Sequence, residues 1–165
     1  MGAIIRGMAY PYGTHNPTVV EVLRACGIVY ARTTAVTGRF DIPTDWLRMP
    51  ATCKHTDPKL MEYARKFADM KVTKDPAKLF YVWGHTYEFE GDNNWNVIEE
   101  FAEFMGGRED IWYATNIDLF EYIKDFERLV YSVAGSIVMN PTARTLWYFY
   151  NGEISSIAPG ETKKV

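Results

Sequence analysis

The residue best placed for proton transfer in this sequence is His85. It follows the run Leu79-Phe80-Tyr81-Val82-Trp83, which reads as a buried strand, and Gly84, which lets the chain turn out of that strand. In parallel α/β folds the carboxyl ends of strands carry the chemistry, and an imidazole titrates near pH ~6.5, where it can both give and take a proton. A histidine hydrogen-bonded at a strand end for structural reasons is the competing reading. The turn Tyr10-Pro11-Tyr12-Gly13 ends another strand, and a rigid turn there either aims backbone N–H groups at a developing oxyanion or simply reverses the chain. Cys53-Lys54-His55 offers two metal-ligating side chains, whereas zinc takes three or four. His15, His55 and His85 form neither an HxxxH nor an HExxH pair, so a free thiol and a solvated His55 are expected and no metal site is assigned. Glu88 and Glu90 flank the histidine loop and read as surface acids. No Gly-rich phosphate loop and no G-x-S-x-G elbow is present.

These residues need a scaffold, and 165 residues with 47% hydrophobic and 24% charged side chains suffice for one globular domain. Aromatic residues reach 15%, including 11 Tyr and 5 Trp, a surplus suited to lining a pocket for sugars or to filling a large core. The net charge of −3 and the lack of a basic stripe argue against nucleic acid or an anionic membrane as partner. No apolar run approaches the ~20 residues of a membrane-spanning helix. The start Met1-Gly2-Ala3-Ile4-Ile5-Arg6 carries no leader pattern, so a cytoplasmic location is expected. Cys26 is expected on a buried helix face, which disfavours a bridge to Cys53 and fits a reducing compartment.

The expected elements alternate. Ile4–Tyr12 reads as a strand and loop. Asn16-Pro17 starts a helix with Val19, Val22, Leu23 and Cys26 inward and Gly27 as its stop. Ile28–Arg32 is a second strand. Thr33–Thr56 is a long connection, either functional or concealing an element. Asp57-Pro58 starts a helix with Leu60, Tyr63, Ala64, Phe67 and Ala68 inward. After the Leu79–Trp83 strand, Asn93 or Asn94 caps a third helix with Ile98, Phe101, Ala102 and Met105 inward. Asp110–Thr115 reads as a short strand, and Asn116 caps a fourth helix to about Val130. Tyr131–Met139 and Thr145–Ile157 read as antiparallel strands, with Asn151-Gly152 as a two-residue hairpin turn. The expected fold class is therefore α/β. About four parallel β-α units over 1–130 form an open sheet or a partial (β/α) barrel, and 131–165 add an antiparallel appendix to the single domain.

The residues also carry a resemblance. The chain resembles the carboxyl-terminal part of polysaccharide deacetylases, metal-dependent carbohydrate esterases with a deformed (β/α) barrel. The family's R-x-P-Y/F loop corresponds to Ala9-Tyr10-Pro11-Tyr12, and its late strand ending L-x-H-D to Val82-Trp83-Gly84-His85-Thr86. Closer relatives read A-Y-P-Y-G and later W-G-H-S/T-Y-E-F. The segments Ala31-Arg32-Thr33-Thr34, Pro50-Ala51-Thr52-Cys53 and Trp112-Tyr113-Ala114-Thr115-Asn116 belong to the same likeness, which spans essentially the whole chain.

The resemblance implies hydrolysis of an N-acetyl group on a carbohydrate, a non-peptide carbon–nitrogen bond. His85 corresponds to the general acid that protonates the leaving amine, and the backbone N–H of Tyr12 to the oxyanion donor. Tyr10, Pro11, Trp83 and Tyr87 would lie near the sugar. Three departures stand out. Ala9 replaces an arginine, Thr86 replaces an aspartate, and the T-F-D-D and H-x-x-x-H motifs that hold the family's zinc-like divalent metal are absent from the sequence. The chain alone is thus expected to need no cofactor, to hold no catalytic metal and to be inactive, as the second half of a deacetylase. The alternative is a non-catalytic carbohydrate-binding or assembly module. Four parallel strands leave an edge, expected near Arg6–Tyr10 with Val19, Val22 and Leu23 beside it, to be covered by a second copy in a homo-oligomer or by a missing amino-terminal half.

Overall fold

The structure is a computed structural model and describes residues 4–71 and 77–165. Met1, Gly2 and Ala3, from the start read as lacking a leader, lie outside the described residues. The fold is mixed α/β, with both parallel and antiparallel strands, and divides into two compact units: residues 4–71 with 77–113, and residues 114–165. Helix α5 of the second unit (Asn116–Phe126) thus groups with the hairpins, and the division falls at residue 114 rather than 131. Among the described residues no helix is long and apolar enough to cross a membrane.

In the first unit the chain forms β1 (Gly7–Ala9), α1 (Pro17–Ala25), β2 (Tyr30–Val36), β3 (Met49–Ala51), β4 (Cys53–Lys54), α2 (Leu60–Ala68), β5 (Val82–Trp83), α3 (Thr86–Gly91) and α4 (Trp95–Met105). β1 runs parallel to β2 and β2 to β3, while β4 runs parallel to β5. Thr52 joins β3 to β4 and ties both to the approach of β5. Its N–H donates to the Tyr81 carbonyl at 2.8 Å and its hydroxyl accepts from the Tyr81 N–H at 3.1 Å. The parallel pairs thus form two sheets, β1-β2-β3 and β4-β5. No closed barrel occurs among the described residues.

Several local expectations meet the structure directly. Asn16 caps α1 by accepting from the Val19 N–H at 2.9 Å, with Pro17 in the first turn. The buried face of α1 is nevertheless Val20 with Leu23, set against Tyr10, Ala31 and Leu47. Val19, Val22 and Cys26 are exposed, because a helix at the sheet edge buries one narrow stripe and leaves the neighbouring stripe to solvent. The connection Thr33–Thr56 conceals β3 and β4. Their sequence, Met49-Pro50-Ala51-Thr52-Cys53-Lys54, lacks a period because the strand is short and swaps partners at Thr52.

The expected strand Leu79–Trp83 contracts to Val82–Trp83, half-buried rather than buried. Leu79 donates instead to the Phe40 carbonyl at 2.8 Å, and the Phe80 ring joins Phe40, Phe67 and Phe101 at centroid distances of 5.4, 5.5 and 5.6 Å. Aromatic packing, rather than a sheet ladder, positions this stretch. Asp57-Pro58 precedes α2 by a turn, in which Asp57 accepts from the Lys59 N–H at 2.8 Å. Asn94 is the N-terminal flanking residue of α4, whose Met105 is buried while Ala102 stays exposed. Asp110–Thr115 is not a strand. The Tyr113 hydroxyl donates to the Met105 carbonyl and accepts from the Arg108 N–H, folding the segment back onto the end of α4 and leaving Trp112 and Tyr113 exposed.

In the second unit α5 is capped by Thr115, whose hydroxyl accepts from the Asp118 N–H at 3.3 Å, and it ends at Phe126 rather than near Val130. The expected strand Tyr131–Met139 is a hairpin of β6 (Val130–Tyr131) and β7 (Ile137–Met139), broken at Gly135 where φ is +67°. β8 (Leu146–Tyr150) and β9 (Glu153–Ile157) pair across Asn151 and Gly152, whose φ values of +50° and +88° are those of the two-residue turn. β10 (Thr162–Lys164) pairs with β7. Leu129, Val138, Leu146 and Ile157 form the core. Asn140, fully buried, locks the loops around it. It donates to the carbonyls of Arg144, Ile157 and Ala158 and accepts from Thr142.

Candidate functional site around His85 and Glu88

The strand β5 ends at Trp83, Gly84 releases the chain, and His85 becomes the residue flanking the amino end of α3. Sequence periodicity does not disclose this helix, which is only six residues long. It brings Glu88, one turn on, back to His85. Glu88 Oε2 accepts from the His85 backbone N–H and lies 3.2 Å from His85 Nδ1, while Oε1 accepts from Lys54 Nζ at 2.6 Å. The Lys54 hydrogen bond is the main cause that holds the Glu88 carboxyl at about 2, down from 4.5. Burial opposes this, and the His85 bonds add to it.

An ionised carboxylate only accepts, so Nδ1 of His85 carries a proton toward Glu88, and Nε2 is the nitrogen left to exchange a proton with a ligand. Glu88, read from sequence as a surface acid, is therefore the group that fixes the tautomer of His85. The helical offset of three residues was the available cue, since it places both side chains on one helix face.

Aromatic rings surround this pair. His85 stacks on Tyr87 at 5.1 Å and meets Trp83 edge-on at 5.8 Å. The Arg32 guanidinium lies 4.7 Å from the Trp83 ring and Lys54 Nζ 5.6 Å from it. The structure thus brings Trp83, His85 and Tyr87 together.

Tyr10, Pro11 and Tyr12 form a separate turn after β1. Tyr10 is buried, donates its hydroxyl to the Leu47 carbonyl at 2.8 Å and stacks on His15 at 4.9 Å, so it serves the core. Tyr12 is 98% exposed and holds a left-handed φ of +55°, uncommon for a residue with a side chain. The two clusters are linked through Arg32. Its carbonyl accepts from the Tyr10 N–H at 2.9 Å, while its guanidinium covers Trp83.

His55 is the second unforeseen member. It is 2% exposed rather than solvated, 4.3 Å from the Phe89 ring, with Nε2 3.6 Å from Glu88 Oε2. Gly84 makes this possible. A Cβ there would sit 1.7 Å from His55 Nδ1, so the glycine that releases β5 also admits the imidazole. Cys53 is buried and free, and burial with the Asp57 charge pushes its thiol up to about 12. Among the described residues no three His, Cys, Asp or Glu side chains converge as a metal-binding group.

Compared with protein-family models, curated proteins and solved structures, the chain matches none.

Two predictions follow from this packing. Gly84→Ala is expected to destabilise the first unit by about 1–3 kcal/mol through overpacking against His55. Gly84→Ala combined with His55→Ala should cost less than the sum of the single changes, measured by urea denaturation as a double-mutant cycle. Strict additivity would show that the close approach is not the cause.

The depressed Glu88 value also sets a pH window. Its ion pairs contribute stability above its ordinary value of 4.5, and that contribution is lost as pH falls from there through about 2. Glu88→Gln should flatten the fall in unfolding free energy across this window, measured by denaturant titration at stepped pH. An unchanged slope would contradict the assignment.

Proposed function

We propose that the chain is a polysaccharide-deacetylase-like protein whose parent reaction is hydrolysis of an N-acetyl amide on a carbohydrate. The observation that carries the reading is the His85–Glu88 pair at the end of a parallel strand. An imidazole held at Nδ1 by an ionised carboxylate can deliver a proton from Nε2 to the leaving amine as the carbon–nitrogen bond breaks. Trp83 and Tyr87 offer aromatic faces for the apolar side of a sugar ring. The resemblance gives the Tyr12 N–H the oxyanion, and the parallel pairs β1–β2, β2–β3 and β4–β5 are compatible with a partial (β/α) barrel. Water activation is not assigned to residues of this chain, and the divalent metal of the family would be held by the T-F-D-D and H-x-x-x-H motifs that the sequence lacks.

The test joins the chain to a segment bearing those two motifs and follows acetate release from an acetylated chito-oligosaccharide. His85→Ala should lower kcat by 10²–10⁴-fold while substrate binding is retained. An unchanged kcat would make His85 structural. Saturable binding of the oligosaccharide with no acetate release from the joined protein would favour the carbohydrate-binding module instead.

The same reading extends to assembly. Among the described residues β1 pairs on one side only, and Ile4, Ile5, Val19 and Val22 are 88%, 71%, 39% and 55% exposed. An unpaired parallel edge beside apolar side chains favours a partner, here a second copy in a homo-oligomer. Light scattering at micromolar concentration should report a dimer or larger species. A monodisperse soluble monomer would rule this assembly out.

A further inference from the structure

Arg32 stands on β2 between two buried residues, Ala31 and Thr33, so strand alternation turns its side chain to the other face of the sheet. There it is half-buried and held in place. Nη1 donates to the Thr33 carbonyl at 2.9 Å, and the guanidinium lies 4.7 Å from the Trp83 ring. Its partner across the parallel register on β1 is Ala9, an exposed residue whose short side chain fills little of the space beside it.

The charge of Arg32 is the unusual feature. Arg39, Arg48, Arg65, Arg108, Arg128 and Arg144 each pair with a carboxylate. Among the described residues Arg32 meets none, and Nε and Nη2 have no protein acceptor. Lys54, the other cation beside Trp83, is neutralised by Glu88 at 2.6 Å. One uncompensated positive charge therefore remains against the indole. Partial burial strips some of its water, so it gains more from an anion than a fully solvated arginine does. Trp83 also meets the His85 ring at 5.8 Å, so only the indole separates the guanidinium from the imidazole. A disaccharide spans that separation.

We propose that Arg32 makes this a site for an acidic carbohydrate, its guanidinium taking the carboxylate of a uronic-acid-type sugar. The choice of a sugar rests on the deacetylase reading; the choice of an acidic one rests on Arg32. A planar carboxylate matches the guanidinium fork in a bidentate pair. The net charge of −3 gives the chain no general attraction for anions, so a preference of this kind comes from the local cation.

The test is a heteronuclear NMR titration of the full chain near neutral pH and low ionic strength. The probe is glucuronate. Glucose presents the same skeleton without the carboxylate, and acetate presents a carboxylate without the ring. Glucuronate should produce saturable shifts in the Trp83 indole N–H and in the backbone amides of residues 32–34, with glucose and acetate about tenfold weaker or more. Arg32→Gln should weaken glucuronate to the level of glucose. Arg32→Lys, which keeps the charge and loses the fork, should cost about threefold and carries the test if the glutamine variant does not fold. Arg24→Gln, at an exposed position, and His85→Ala should both leave the preference for glucuronate intact. An equal response to glucose, or unchanged affinity in both Arg32 variants, would overturn the proposal. Acetate binding as tightly as glucuronate would reduce the site to an adventitious ion only, and loss of the preference in His85→Ala would move the anion to the imidazole. Binding to the chain alone is read without acetate release, so failure here leaves the kcat test of His85 standing, and failure of that test leaves this one standing.

Discussion

The Glu88 carboxylate accepts bonds from Lys54, 34 positions before it in the chain, and from His85, 3 positions before it. Lys54 reaches it from β4 at 2.6 Å, and His85 reaches it from the amino end of α3 through both its backbone N–H and its ring. The Lys54 hydrogen bond keeps the carboxylate ionised, and the ionised carboxylate fixes which nitrogen of His85 holds a proton. The exposed face of the site depends on this arrangement, because the His85 ring is 44% exposed and is otherwise held by its contacts with Tyr87 and Trp83.

Gly84 adds a steric constraint to that electrostatic one. Its missing side chain lets the His55 imidazole lie against the backbone where β5 ends, which in turn brings His55 against Phe89 on α3. One glycine therefore ends a strand and makes room for a buried histidine beside the Lys54–Glu88 pair.

The second unit rests on different physics. Its sheets are antiparallel and its core is aliphatic, and Asn140 satisfies three carbonyls where loops meet. A buried amide with all its bonds made specifies a loop conformation more sharply than apolar packing does, since misplacing it leaves several polar groups unpaired.

Local chemistry alone determined much of this chain. The Asn16-Pro17 start, the Asn151-Gly152 hairpin, the helices after Asp57-Pro58 and near Asn94, and the strand-then-glycine setting of His85 are all legible because each depends on residues within a few positions of one another. The mixed α/β class follows from that alternation. Tertiary structure decided the rest. β3 and β4 are too short and too irregular to show a period, and they exist as strands because β2 and β5 supply partners on opposite sides. The expected strand at Asp110–Thr115 fails because Tyr113 bonds back to the end of α4. Glu88 and His55 gain their roles from Lys54, Gly84 and Phe89, and Cys26 is exposed because only the Val20 stripe of α1 meets the sheet. Sequence reports propensity and spacing along one chain. Burial, charge pairing and strand partnership are set by residues distant in that chain, and those contacts made a surface acid the anchor of His85 and a solvated histidine a buried one.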